Sequence, residues 1–167
     1  MNLLTSLSVE TKLPDGRFIG PFAVQLHSPA VGHHFLGLAK ELAHIPGLPS
    51  KAREIAIITT GAKSRADYEL YAHEILGKMQ GVTQAEFDQI MQGKKPETLD
   101  RECGVAYDVA RELVAGAGPL DAGLWEEAAN VLGKDGAMAL VQYCGFYAYV
   151  CAILRGFACE VPETKKQ

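Results

Sequence analysis

Apolar and polar positions along this chain recur mostly at helical spacing. Tyr68, Ala72, Ile75 and Met79 follow one another at three or four residues, the repeat of one face of an α-helix. They predict a helix from Arg65 to about Gln80, with Ser64 as N-cap and Gly81 as its stop. Before it, Ser28-Pro29 opens a helix that runs to about His44 and ends ahead of Ile45-Pro46-Gly47. Leu48-Pro49-Ser50 opens the next, which carries Arg53, Glu54, Ile55, Ile57 and Ile58 and ends near Gly61. After it, Thr83-Gln84-Ala85-Glu86 is a capping box for a short helix ending near Gly93. A fifth helix spans about Thr98 to Ala115 and is broken by Gly116 to Pro119. Asp121 caps a sixth around Trp125 to Leu132, Lys134-Asp135-Gly136 reads as a turn, and a long apolar helix from Ala137 to about Cys159 follows.

The run IAIITT would pass as a strand by itself. Its frame of charged helix formers, KAREIAIITT, and the lack of any partner strand make it a helix. The predicted fold class is all-α, about seven helices in a single domain over 1–167. Residues 1–28 form an extended arm with turns at Asp15-Gly16 and Gly20-Pro21, 48–93 a core module and 160–167 a polar tail.

Composition narrows the partners. A net charge of -4 gives no basic footprint, so nucleic acid is not expected. The most apolar segment, Ala137 to Cys159, is interrupted by Gln142, Gly145, Arg155 and several tyrosines, which points to a buried helix and not a membrane span. The N-terminal residues lack the basic flank and apolar core of a secretory leader. Cys103, Cys144, Cys151 and Cys159 include no C-x-x-C pair, and Cys144 and Cys151 lie two helical turns apart, too far to bond. Buried free thiols in a reducing cytoplasm are expected. The last helix is apolar nearly all round and must be covered on every side. A homo-oligomer is therefore expected, with Tyr143, Phe146, Tyr147 and Tyr149 partly at subunit contacts.

The chemistry concentrates between Arg53 and His73. Glu69 and His73 stand at i and i+4, neighbours on one helix face, at the edge of the apolar stripe. Ala66 and Gly77 on the same stripe are small and leave a notch. A carboxylate beside an imidazole fixes the tautomer and raises the pKa, as a general acid or base near neutral pH requires. An exposed surface ion pair has the same spacing. Glu54 is harder to read as decoration, because its helix has little polar surface.

The run LPSKAREIAIITTGAKSRADYELYAHEILGKMQGVTQAEFDQI resembles the core module of the carboxymuconolactone decarboxylase family, whose superfamily includes alkylhydroperoxidase D. The shared frame is an Arg-Glu helix, a short loop, a helix with a His, a Gly-containing turn and a capped short helix. QYCGFYAYV and the arm GPFAVQLHSPAVG are similar as well. The peroxidase branch carries E…C-x-x-C-x-x-x-H; Glu54 and His73 match it, while Ala66 and Glu69 stand at the two thiol positions. Without those thiols there is no dithiol cycle. Glu69 and His73 match the E-x-x-x-H of the decarboxylase branch.

The resemblance implies a cofactor-free lyase that acts on a small carboxylated lactone or keto acid, in a trimer or hexamer. Another proton-transfer enzyme (isomerase or lactone hydrolase) and a non-catalytic small-molecule binder are the alternatives. A redox enzyme built on Cys103 or Cys144 is a third. In the lyase, His73 gives a proton to an enolate, Glu69 orients it, and Glu54 is a second acid/base or its partner from the next helix. Arg53 or Lys63 would hold a substrate carboxylate, unless Arg53 is a structural partner of Glu54. Tyr68 and Tyr143 are candidate oxyanion donors or core side chains, and His33, beside His34, would approach the site. No metal is expected: HEILG is not H-E-x-x-H.

Overall fold

The computed structural model describes residues 9–116 and 118–162. The described residues form seven helices: α1 (Gly20–Gln25), α2 (Pro29–Ala43), α3 (Ser50–Ser64), α4 (Asp67–Met79), α5 (Gln84–Met91), α6 (Arg101–Ala115) and α7 (Ala122–Gly156). The only β pairing among them is an isolated antiparallel bridge between Lys12 and Phe18. The fold is all-α.

α3 sits at the centre. Nine of the ten positions from Ala52 to Gly61 are buried, all but Arg53, and the helix packs against α4, α5, α6 and α7. Its two threonines fit a dry interior because their hydroxyls turn back on the helix: Thr59 donates to Ile55 O at 2.7 Å and Thr60 to Ala56 O at 2.9 Å. Ile55 and Ile58 join Phe87, Ile90, Val109 and Leu140 in the main core. A second cluster of Ile19, Phe35, Tyr68, Ala72, Val150 and Leu154 ties α1, α2 and α4 to the end of α7.

Caps written in the sequence are found where local chemistry dictates them. Thr83 and Glu86 form the reciprocal box, with Glu86 Oε2 accepting from Thr83 N at 2.8 Å; Glu86 Oε1 also takes Lys51 Nζ at 2.9 Å. Asp121 Oδ1 accepts from Leu124 N at 3.0 Å. Other boundaries differ from expectation. Ser64 is the last residue of α3 and not the cap of α4; Arg65 turns left-handed (φ 52°), and α4 begins at Asp67. The arm is not extended throughout, since Gly20-Pro21 opens the short helix α1. The sixth and seventh helices are continuous as α7, kinked at Gly133 (φ 72°) with Gly136 inside the helix, so the break precedes the expected Lys134-Asp135-Gly136 turn. Residues 1–8 of the arm and 163–167 of the tail lie outside the described residues.

By length and hydropathy α7 would pass for a membrane span, with a mean hydropathy of 1.6 over its most apolar window. Half of that window is buried within the protein, and α7 packs against α1, α2, α3, α4 and α6. It is a core helix.

Candidate active site

The two-residue turn at Arg65-Ala66 sends α4 back against α3. The helices pack closely because Gly77 on α4 has no side chain: a Cβ there would stand 3.1 Å from Ile58 Cδ1. The expected notch at Gly77 is therefore filled by Ile58 and Val82. This close approach sets Glu54 of α3 opposite Glu69 and His73 of α4.

All three side chains are buried, at 5, 3 and 6% exposure, so they are not a surface ion pair. The imidazole Nδ1 donates to Glu54 Oε2 at 2.6 Å. On the other side Nε2 lies 3.0 Å from Glu69 Oε1. That contact is close enough for an ion pair but poorly aligned for a hydrogen bond, and Glu69 Oε1 remains a buried acceptor without a donor. Burial alone would push the His73 pKa down. The Glu54 and Glu69 carboxylates and the bond to Glu54 outweigh it and hold the imidazole up at about 10. His73 is thus an imidazolium across the neutral range. Glu69 sits in the first turn of α4, where the exposed amides favour a negative charge.

Glu69 and His73 open onto a cavity of about 140 Å³ between α4, α7, α2 and the arm. Its walls are Phe22, Phe35, Leu76, Phe146 and Val150, with Thr11, Tyr68 and Tyr147 as further polar groups. Open hollows of about 450 to 600 Å³ elsewhere on the surface do not include the Glu54–His73–Glu69 group. Tyr147 meets His73 edge-on, ring centroids 5.1 Å apart. Burial, and then the neighbouring carboxylates, push its phenol well above the ordinary range, so it is a neutral hydrogen-bonding group. Sequence reasoning placed Tyr147 at a subunit contact and missed it here. Its position one turn after Tyr143 gave no sign that it turns inward towards α4.

The remaining candidates divide. Tyr68 lines the cavity, but its hydroxyl already donates to Glu10 O at 2.8 Å and pins the arm. Tyr143 donates to Leu42 O at 2.7 Å and packs with Ile57 away from the cavity. Arg53 is behind Glu54, its Nε 3.7 Å from Glu54 Oε1 and its guanidinium 5.8 Å from the Tyr143 ring. It is the structural partner of Glu54 and not a wall residue. His33 is exposed on α2 and packs edge-on against His34; neither contributes to the cavity, because this face of α2 turns to solvent. Lys63 borders an open hollow near Arg111, remote from this wall. Both nitrogens of His73 face carboxylates, and among the described residues no cluster of three or more His, Cys, Asp or Glu side chains is arranged to hold a metal.

The thiols stand apart. Cys103, Cys144 and Cys151 are buried, and burial pushes each up to about 12, far from the thiolate a redox nucleophile needs.

No profile of a known protein family matches the chain, and no curated protein is similar to it in sequence. Its fold is similar to that of a solved structure, the debrominase Bmp8 in a cysteine-to-alanine form in complex with 2,3,4-tribromopyrrole. The TM-score is 0.73 at 12% identity, over 86% of this chain and 77% of that one. The likeness is one of fold: the chain shares the all-helical architecture of that enzyme.

Proposed function

We propose that the protein is an acid–base enzyme that moves a proton on a small uncharged molecule bound between Glu69, His73 and Tyr147. One observation carries this reading: a buried Glu54–His73–Glu69 chain whose last two members reach the wall of an apolar cavity. Burying three ionisable side chains is costly unless each is paired, and here the outermost carboxylate oxygen is left without a donor. Such an arrangement costs stability and serves chemistry.

In this reading Glu69 accepts a proton from the substrate, and His73 returns one to the strongly basic centre that results, such as an enolate carbon. An imidazolium held near pKa 10 stays loaded at neutral pH and still protonates a carbanion. Glu54 fixes the ring through Nδ1, and Arg53 balances Glu54 from behind. Tyr147, whose hydroxyl has no hydrogen-bond partner among the described residues, is a donor for a developing oxyanion. The fold of a debrominase complexed with a halogenated ring supports a small apolar ligand here.

The resemblance to the carboxymuconolactone decarboxylases favours a lyase of the same chemistry, in which His73 protonates the enolate left by CO2. That version needs a cation for the substrate carboxylate. Among the described wall residues His73 alone is cationic, and it is neutralised by two carboxylates. Proton transfer on an uncharged substrate is therefore the favoured form, as in an isomerase.

The test is a screen of small carbon acids for solvent deuterium uptake, with carboxylated lactones and β-keto acids screened for CO2 release. Glu69→Gln and His73→Ala should each cut turnover by a factor of roughly 100 or more, and alkylation of the thiols should leave it intact. Unchanged turnover in either variant rejects the assigned roles.

A further inference from the structure

The unpartnered oxygen of Glu69 defines what the cavity takes. Oε1 is fully buried, so water does not reach it freely, and the nearest donor, His73 Nε2, is misaligned at 3.0 Å. A buried acceptor without a partner costs about 1–3 kcal/mol, which a bound donor would recover. Glu69 is itself a wall residue of the cavity, so a donor bound there would be its neighbour. The cavity's apolar walls include an aromatic slot: Phe35 stacks on Phe146 with centroids 5.2 Å apart and meets Phe22 edge-on at 6.0 Å. Space of about 140 Å³ between such walls suits one flat ring with small substituents.

Charge removes two ligand classes. A carboxylate would lie against Glu69 with no free cation beside it among the described residues. An ammonium would find Glu69 already matched, since Arg53 and His73 offset Glu54 and Glu69, and its own charge would be buried among phenylalanines. A neutral donor has neither problem.

We infer that the ligand of this cavity is an uncharged single ring with one N–H or O–H group, which donates to Glu69 Oε1 while the ring lies in the Phe22–Phe35–Phe146 slot. This rests on the reading of the cavity as the substrate site, and it names the substrate class: a weakly acidic heteroaromatic, phenol or ring enol, whose donated proton is the one that Glu69 can remove. It also assigns Phe35 and Phe146 to specificity, by shape, and Glu69 to specificity as well as to chemistry.

Binding of three probes on one ring scaffold tests it in the unmodified protein. Calorimetric titration with 4-chlorophenol, 4-chloroanisole and 4-chlorobenzoate separates a donor, its methyl ether and an anion of similar size. The phenol should bind at least about tenfold tighter than either of the others, the worth of one satisfied buried hydrogen bond. Glu69→Gln should erase most of that preference and leave the ether unchanged; a thermal melt verifies that the variant folds. Equal binding of phenol and ether, tighter binding of the benzoate, or binding of none of the three at millimolar concentration overturns the inference. Binding and turnover are read separately. Donor preference without any proton exchange sinks the acid–base reading alone, whereas exchange that depends on Glu69 and His73 without donor preference sinks this inference alone.

Discussion

His73 carries the clearest consequence at the scale of single residues. It binds its proton more tightly in the folded protein, with a pKa of about 10, than in the unfolded chain, where the ordinary value is 6.5. Between those values the native state holds the extra proton. Its stabilisation is fully present below pH 6.5 and is lost as the pH rises through about 10. Stability should therefore fall from pH 6.5 to 8.5 with a slope approaching 1.4 kcal/mol per pH unit. The buried thiols add a loss of the same sign only above their ordinary value of 9.0. Urea midpoints measured at intervals across this window would show the decline, and His73→Gln should flatten it. A flat profile in the unmodified protein would mean that His73 is not held charged. The sequence displayed Glu69 and His73 through their spacing, because i,i+4 neighbours are fixed by helix geometry, and Glu54 through the apolar helix that carries it and the family resemblance. It did not display their burial. The same pattern decorates exposed helices, and dryness is created by Gly77, Tyr147 and Phe35, which lie on three helices.

Element boundaries were legible where the signal is local. Thr83 and Asp121 satisfy amides three residues ahead of themselves and Glu86 the amide three residues behind, and caps of that kind need no tertiary partner. The α7 kink is different. Gly133 and Gly136 both sit near Lys134-Asp135, and which of them breaks the helix depends on what packs there. Gly136 stays helical because the Gly47 carbonyl presses against its backbone, leaving no room for a side chain; an added Cβ would also stand 2.9 Å from Leu132 Cβ. Gly136→Ala should thus destabilise the protein by about 2 kcal/mol or more, a cost of forced overpacking. Gly37 in α2 has nothing within 4 Å of an added Cβ. There Gly37→Ala should stabilise by about 0.5–1 kcal/mol through the lost freedom of the unfolded chain. Thermal melts of the two variants should move in opposite directions. A shift of the same sign in both would remove the close contact of Gly47 and Gly136 as the reason for the helix's continuity.

At the scale of the whole molecule, the all-α class followed from periodicity along the entire chain, but the surroundings of α7 did not. Tyr143 and Tyr147, expected at subunit contacts, turn inward to Leu42 and His73. Phe146 stacks on Phe35. Of the four aromatics only Tyr149 is strongly exposed, at 42%. It borders a hollow of about 600 Å³ with Val31 and Leu38 of α2, each 49% exposed, above a floor of Phe35, Leu42 and Phe146. Exposed apolar side chains grouped in this way offer a place for a second copy to dock. The proposed homo-oligomer would therefore be joined through α2 and the adjacent face of α7, and not through the inward tyrosines. Sedimentation velocity at micromolar concentration should give a particle larger than the 18.0 kDa chain. Leu38→Glu should shift it towards the monomer without loss of helical signal, since this side chain is half in solvent and a buried carboxylate at an interface is strongly disfavoured. A monomer in the unmodified protein rejects the oligomer, and an oligomer undisturbed by Leu38→Glu rejects this face as its seam. Phe35 and Phe146 lie beneath the patch and also wall the Glu69 cavity, so dissociation should weaken 4-chlorophenol binding if the interface holds that slot in shape. Unchanged binding in the dissociated variant would show that each subunit holds its own cavity.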